Sequence, residues 1–217
     1  MTSKLDRRTF LTAALASGAA LAGGAALVAR PAFAAPDPMS RDMMSKEAVL
    51  YDPEAPILGN PKGDVTIVEW FDYQCPYCKK AYPETRKIVE DDGQIRMVMK
   101  DWPIFGPPSD RATRLTLAAG KYHPQALDAL MRTEGRLTDQ MIDARLTAAG
   151  FDVAALQRAY RRDSKRIDAL VARNSAQAEA FGFLGTPAYL VGTVVFPGVL
   201  TMQDFRQAIR DARAKSG

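Results

Sequence analysis

The sequence predicts an α/β domain, and three observations carry that prediction. A β-branched and aromatic run at Val65 to Phe71 has almost no polar relief, as expected of a strand covered on both faces. A helical pattern follows from Pro76 to about Asp91 and leads to a second strand-like run at Ile95 to Lys100, so the unit reads as strand, helix, strand with a right-handed parallel crossover. From Ser109 to about Phe181 no strand pattern occurs, and apolar residues recur at helical spacing.

The elements follow in chain order. Lys4, Arg7 and Arg8 precede an uncharged run from Phe10 to Ala29, and Ala32-Phe33-Ala34 offers the small residues of a cleavage site. Residues 1–34 therefore read as an export signal peptide cleaved near Ala34. The paired Arg7 and Arg8 before Thr9-Phe10-Leu11 resemble a twin-arginine signal, while Asp6 departs from that pattern and leaves Sec export open. The alternative for the run is a membrane anchor, for which its alanines and glycines are poorly suited. Residues 35–64 carry Pro36, Pro38, Pro53, Pro56 and Pro61 and read as a lead-in, with a short extended piece at Ala48 to Tyr51.

Residues 65–217 hold the expected domain. In its first helix Tyr82, Ile88 and Val89 are candidate buried positions, Pro83 is an interior proline, and Gly93 is the stop. In the helical insertion, at about 109–181, the stripes are Ala112, Leu115, Ala119 and Tyr122; Ile142, Leu146 and Ala149; Val153, Leu156 and Tyr160. Thr138 and Asp152 are candidate N-caps and Gly150 a stop. Ala188 to Val191 and Thr193 to Phe196 then form a hairpin about Gly192. A last helix from about Met202 to Ala214 is capped by Thr201 and buries Met202, Phe205, Ile209 and Ala212.

Charge narrows the function. Of the formal net charge of +4, most belongs to the leader, where Lys4, Arg7, Arg8 and Arg30 face only Asp6. The remainder is close to neutral, and a nucleic-acid partner is not implied. The chain has 2 cysteines, Cys75 and Cys78. A bridge between positions so near in sequence closes a trivial loop and removes little unfolded-state entropy, so stability is a poor reason for the pair. Structural zinc wants four ligands, and beyond the pair only His123 remains. Lys79 stands where covalent haem attachment requires histidine. His123 itself, before Pro124, reads as a surface or turn residue.

What remains is thiol chemistry. Cys75 lies where the first strand enters its helix, and Pro76 suits the first helical turn, where a missing N–H costs nothing. A helix N-terminus stabilises a thiolate through its unpaired amides and dipole. Cys75 is then the low-pKa sulfur that leaves readily and forms the mixed disulfide, and Cys78, one turn on and more buried, resolves it. Glu69 is unusual as a carboxylate inside an apolar strand; it needs a partner or an edge that lets it reach water.

The segment Glu69-Trp70-Phe71-Asp72-Tyr73-Gln74-Cys75-Pro76-Tyr77-Cys78 resembles the active-site segment of DsbA-like periplasmic thiol-disulfide oxidoreductases, a group of the thioredoxin superfamily that includes the ScsC type. Lys100-Asp101-Trp102-Pro103-Ile104 resembles that family's second-strand exit, and Gly185-Thr186-Pro187-Ala188 its cis-proline loop; the similarity spans roughly residues 48 to 215. It implies a thioredoxin-like fold with an inserted helical subdomain. It also implies a redox-active Cys75–Cys78 disulfide, a cis Pro187 against the Cys75 sulfur, and a Thr186 backbone open to an extended substrate. Pro76 and Tyr77 are then substrate-facing, and Glu69 lies beneath the disulfide as a proton-transfer group toward Cys78, with Lys100 as its charge partner.

No cofactor is needed for such exchange. The expected partners are exported cysteine-containing proteins and a membrane redox partner, oxidising in the manner of DsbB or reducing. Oxidation of substrates is the leading expectation and reduction or isomerisation with the same site the alternative. A thiol-independent chaperone or peptide-binding module is the reading from another class. Ala35 to Glu47, with Met39, Met43 and Met44, offers little for a dimerisation or trimerisation stalk, so a monomer is expected.

Overall fold

A computed structural model describes residues 43–216. The export signal, its cleavage point near Ala34 and Met39 lie outside the described residues. Helix α1 (Lys46–Leu50) is followed by β1 (Ile57–Gly59), β2 (Val65–Phe71), α2 (Pro76–Asp92) and β3 (Ile95–Asp101). The insertion holds α3 (Pro107–Ala118), a 3₁₀ turn (Gly120–Tyr122), α4 (His123–Met131), α5 (Asp139–Ala148) and α6 (Val153–Ala180). Strands β4 (Ala188–Val191) and β5 (Val194–Phe196) and helix α7 (Met202–Ser216) complete the order.

The five strands form one mixed sheet in the order β1-β3-β2-β4-β5. Only β2 and β3 run parallel, as the strand-helix-strand reading requires, and β4 lies antiparallel to β2. All seven residues of β2 are buried, which explains why its sequence is almost uniformly apolar. Gly93 ends α2 in the left-handed conformation, and the Thr138 and Asp152 side chains cap α5 and α6 by accepting the Met141 and Ala155 N–H groups.

The lead-in differs from expectation. Residues 46–50 are helical, not extended, because the Ser45 hydroxyl accepts the Ala48 N–H and caps the turn. Ile57–Gly59 joins the sheet as an edge strand antiparallel to β3. Gly59 has φ of +73°, and an added Cβ would meet the Ile95 carbonyl oxygen at 2.5 Å, so this crossing admits only glycine. Tyr122, expected in a buried stripe, is exposed, with the Lys121 ammonium 5.0 Å from its ring centroid.

The alternation of β2 and β3 divides the interior. Ile67, Phe71, Met97 and Met99 share one apolar cluster with Ile88 and Val89 of α2 and Phe205 of α7. Val68, Trp70 and Val98 face the other way, toward Val49 of α1 and Ala178 at the end of α6. Helix α6 is fastened at this end: the Trp70 indole donates to the Asn174 carbonyl at 3.0 Å, and Gln177 donates to the Met43 and Ala48 carbonyls.

Candidate active site

The chain turns sharply between β2 and α2, and a single carboxylate organises the turn. Asp72 Oδ1 accepts the Gln74 N–H at 2.6 Å and the Ser109 hydroxyl at 2.7 Å. Its Oδ2 accepts the N–H groups of Ile104 at 2.7 Å and Phe105 at 3.1 Å. Its backbone carbonyl accepts the Cys75 N–H at 3.1 Å. The Gln74 amide extends this net, donating to the Phe105 carbonyl and Ser109 hydroxyl and accepting from the Leu137 N–H. The buried side chains of Asp72, Gln74 and Ser109 are therefore paired, as burial demands, and Cys75 is delivered to the start of α2.

Cys75 is the N-cap of α2, with Pro76 directly after it. Its sulfur accepts the Cys78 N–H at 3.3 Å and its thiol donates to the Thr186 carbonyl at 3.1 Å. Both cysteines are free and buried, so their difference is electrostatic rather than one of static exposure. Hydrogen bonding with the Cys78 side chain, the Thr186 side chain and the N–H groups of Cys78 and Tyr77 overcomes burial and lowers the Cys75 thiol to about 6. Burial, the Cys75 sulfur and the charge of Glu69 raise the Cys78 thiol well above its ordinary value. One sulfur is a thiolate near neutrality while its neighbour one turn on keeps its proton.

The Thr186–Pro187 peptide bond is cis. The loop around it meets Tyr77 in a cleft of ≈ 570 Å³ whose rim also carries Leu184 and Val199. Tyr77, Leu184 and Val199 are all exposed there. Thr186, Pro187 and Tyr77 are thus brought together, whereas Pro76 lines a separate cleft on the other side of the turn.

Glu69 is buried beneath this arrangement and accepts the Tyr189 hydroxyl at 3.2 Å. Burial, outweighing that bond and reinforced by Cys75, raises its pKa to about 8. Lys100 is not its partner. In the parallel register Glu69 aligns with Met99 and Trp70 with Lys100, so Lys100 leaves the opposite face of the sheet. There its ammonium lies 3.2 Å from Asp52, which Arg173 also contacts at 2.9 Å. Although burial opposes it, the charge of Lys100, the Glu54 N–H and the charge of Arg173 hold the Asp52 carboxyl below its usual range.

His123 also departs from expectation. It opens α4 in the interior, 1% exposed, with Nε2 3.7 Å from the Asp101 carboxylate. Helix α4 packs against α3 and α5, which encloses its first residue beside the last residue of β3. Asp72 and Gln74 are functional residues that sequence reasoning passed over. Their signal was present: short polar side chains between an apolar strand and a helix N-terminus are turn formers.

Comparison with known proteins agrees with this geometry. The family profile described as thioredoxin matches residues 52–211. The thiol:disulfide interchange protein DsbA of Bordetella parapertussis is 29% identical over 166 residues, covering 71% of this chain and 77% of the relative. A Na(+)/H(+) antiporter NhaA of Salinispora arenicola is 28% identical over 173 residues, and the chain spans only 26% of that much longer protein. A crystal structure of a thioredoxin-like oxidoreductase from Silicibacter pomeroyi is 38% identical, with a TM-score of 0.73 over 78% of this chain and 98% of its own. Profile, sequence relatives and fold agree with the turn built around Cys75, and the chain, which is similar to DsbA-named proteins, belongs to the thioredoxin family.

Proposed function

We propose that the protein is an exported thiol-disulfide oxidoreductase that oxidises cysteine pairs of other exported proteins. The observation that carries this reading is the capped Cys75 sulfur, lowered to about 6 beside a Cys78 thiol raised by burial. In the oxidised enzyme a substrate thiolate attacks Cys75 Sγ, the Cys75–Cys78 bond breaks and its electron pair leaves with Cys78. Glu69, protonated below about 8, supplies the proton that the buried Cys78 sulfur needs as it departs. A second substrate thiolate then attacks the substrate sulfur of the mixed disulfide. Cys75 leaves as a stabilised thiolate, and the substrate keeps the new disulfide.

The Thr186 carbonyl, within 3.1 Å of the Cys75 sulfur, is positioned to accept an N–H from an extended substrate segment. The leader sequence supports export, to a periplasm where disulfides persist. An electron acceptor in the membrane then regenerates the disulfide.

Magnitude keeps the reductase reading alive. Lowering Cys75 from 9.0 to about 6 stabilises the reduced form at pH 7 by at most about 1.4 kcal/mol before solvent screening, or about 30 mV. Thioredoxin and DsbA differ by about 150 mV. The test is the reduction potential of the purified pair against glutathione. A value above about −200 mV supports substrate oxidation, and one near about −270 mV overturns it in favour of a reductase.

A further inference from the structure

Two clefts are lined by residues of the turn that bears Cys75, and the thiol chemistry uses only the one around Thr186 and Pro187. The second, of ≈ 650 Å³, begins at Gln74 and Pro76, the two neighbours of Cys75, and runs between α2 and the loop after α4. Its walls differ in character. Pro76, Pro83 and Met131 supply apolar surface, while Lys79, Lys80 and Arg136 supply positive charge.

The charges are available to a ligand. Lys80 and Arg136 are exposed, and neither belongs to an ion pair among the described residues. Lys79 is held half-buried, its ammonium donating to the Gly135 carbonyl at 2.9 Å, so one cation is fixed at the inner end of the cleft. Arg132 also lines it but is engaged by Asp128 at 2.8 Å, and Glu134 is the one acidic lining residue. An apolar floor with a basic rim beside the turn that bears Cys75 suits a chain segment that carries both apolar and acidic side chains.

We infer that this cleft binds an acidic polypeptide segment flanking the reacting cysteine of the partner protein, so that carboxylates meet Lys80 and Arg136 while the cysteine meets Cys75. The inference rests on the oxidoreductase reading above. It assigns the site a preference for cysteines with Asp or Glu nearby, in addition to backbone pairing at Thr186. Because the rim is solvent-exposed, the preference is modest and falls with salt.

The test uses the oxidised full mature protein and three single-cysteine peptides, identical except for flanking Asp, Ser or Lys residues. Rates of mixed-disulfide formation are compared per thiolate, since acidic flanks also raise the peptide thiol's own pKa. The expected order is Asp over Ser over Lys, with about three- to tenfold between the extremes at low salt and little at high salt. In the double variant Lys80→Glu, Arg136→Glu the order inverts. In Lys62→Glu, Lys165→Glu, which makes the same charge change at exposed positions elsewhere, it persists. Equal rates for the three peptides, or a preference unaltered by the first double variant, overturn the inference. Glutathione slowed by that variant as much as the Asp peptide places a small thiol in the cleft instead and also overturns it. Failure of the unaltered protein to exchange with dithiothreitol would strike the oxidoreductase reading itself, separately from these arms.

Discussion

The two faces of the sheet each bury a carboxylate, and they treat it in opposite ways. On one face Asp52 is ionised and shared between Lys100 and Arg173. On the other, Glu69 has, among the described residues, only the Tyr189 hydroxyl as a hydrogen-bond partner, and burial with the Cys75 charge raises it to about 8. A paired charge is a structural device whose loss exposes its partner to the interior. An unpaired acid that stays neutral is a proton store, and it is the one placed near the thiols. The two respond to pH with opposite sign. Asp52, lowered in the folded state, contributes stability that is lost as pH falls through its folded value. Glu69, raised in the folded state, contributes stability that is full below about 4.5 and lost as pH climbs toward 8.

The largest expected effect lies at the thiols themselves. Cys75→Ser abolishes exchange, by at least about a thousandfold in the rate of substrate oxidation, because no leaving sulfur remains. Cys78→Ala, offered a disulfide substrate in place of a dithiol, instead accumulates a mixed disulfide through Cys75, whose thiolate attacks the substrate disulfide and expels its second thiol; the adduct is visible by mass spectrometry before and after reduction. If Cys75→Ala accumulated the adduct through Cys78 and Cys78→Ala did not, the assignment of the attacking and resolving sulfurs would be reversed.

Next in size is the structural carboxylate. Asp52→Asn leaves Lys100, which is 0% exposed, without its counter-charge, and unfolding in urea is expected to show a loss of about 3 kcal/mol. Exchange per folded molecule stays near that of the unaltered protein. A variant that kept its stability but lost activity would erase the distinction between the two faces.

Glu69→Gln is expected to do the reverse. In the oxidised protein, where Cys75 does not titrate and burial alone holds the Glu69 carboxyl up, it raises stability at pH 7 by at most about 3 kcal/mol. It also removes the decline between about pH 4.5 and 8, and slows the step that releases Cys78 by about tenfold. Parallel stability curves for the two proteins across that range would show that Glu69 reaches water. The smallest effect is spectroscopic. Thiolate absorbance near 240 nm in the reduced protein should titrate with a midpoint near 6, and Cys78→Ala should preserve one thiolate while weakening it, since the Cys78 side chain is the largest contributor to the Cys75 shift. A midpoint above about 8 would remove the electrostatic asymmetry on which the proposed leaving-group order depends.

Sequence reasoning reached the parts of this molecule that depend on local pattern. The β2 run, the Pro76 start of α2, the Gly93 stop and the hairpin at Gly192 are each written in a few adjacent residues. Thr186 and Pro187 came from resemblance, since most prolyl bonds are trans. The errors lie where a side chain's partner is set by register or by distant chain. Lys100 and Glu69 are adjacent in strand terms, yet the parallel alignment puts them on opposite faces. Asp52 was hidden because its value depends on Lys100 of β3 and on Arg173 of α6, which meet it only after folding. His123 differs for a similar reason: the residue before Pro124 resembles a turn until α4 is packed against α3 and α5.

The Asp72 carboxylate makes the helical insertion more than an appendage. It begins the turn that presents Cys75, and it is held by Ser109 at the first turn of α3, while Gln74 beside it leans on Leu137 between α4 and α5. A shortened chain in which the segment between Pro107 and Ala180 is replaced by a linker would keep both cysteines, the cis-proline loop and every strand of the sheet. It would nevertheless surrender the struts that hold the loop bearing Cys75. In engineering terms the insertion is not a detachable module: the reactive turn is cantilevered from it as much as from the sheet.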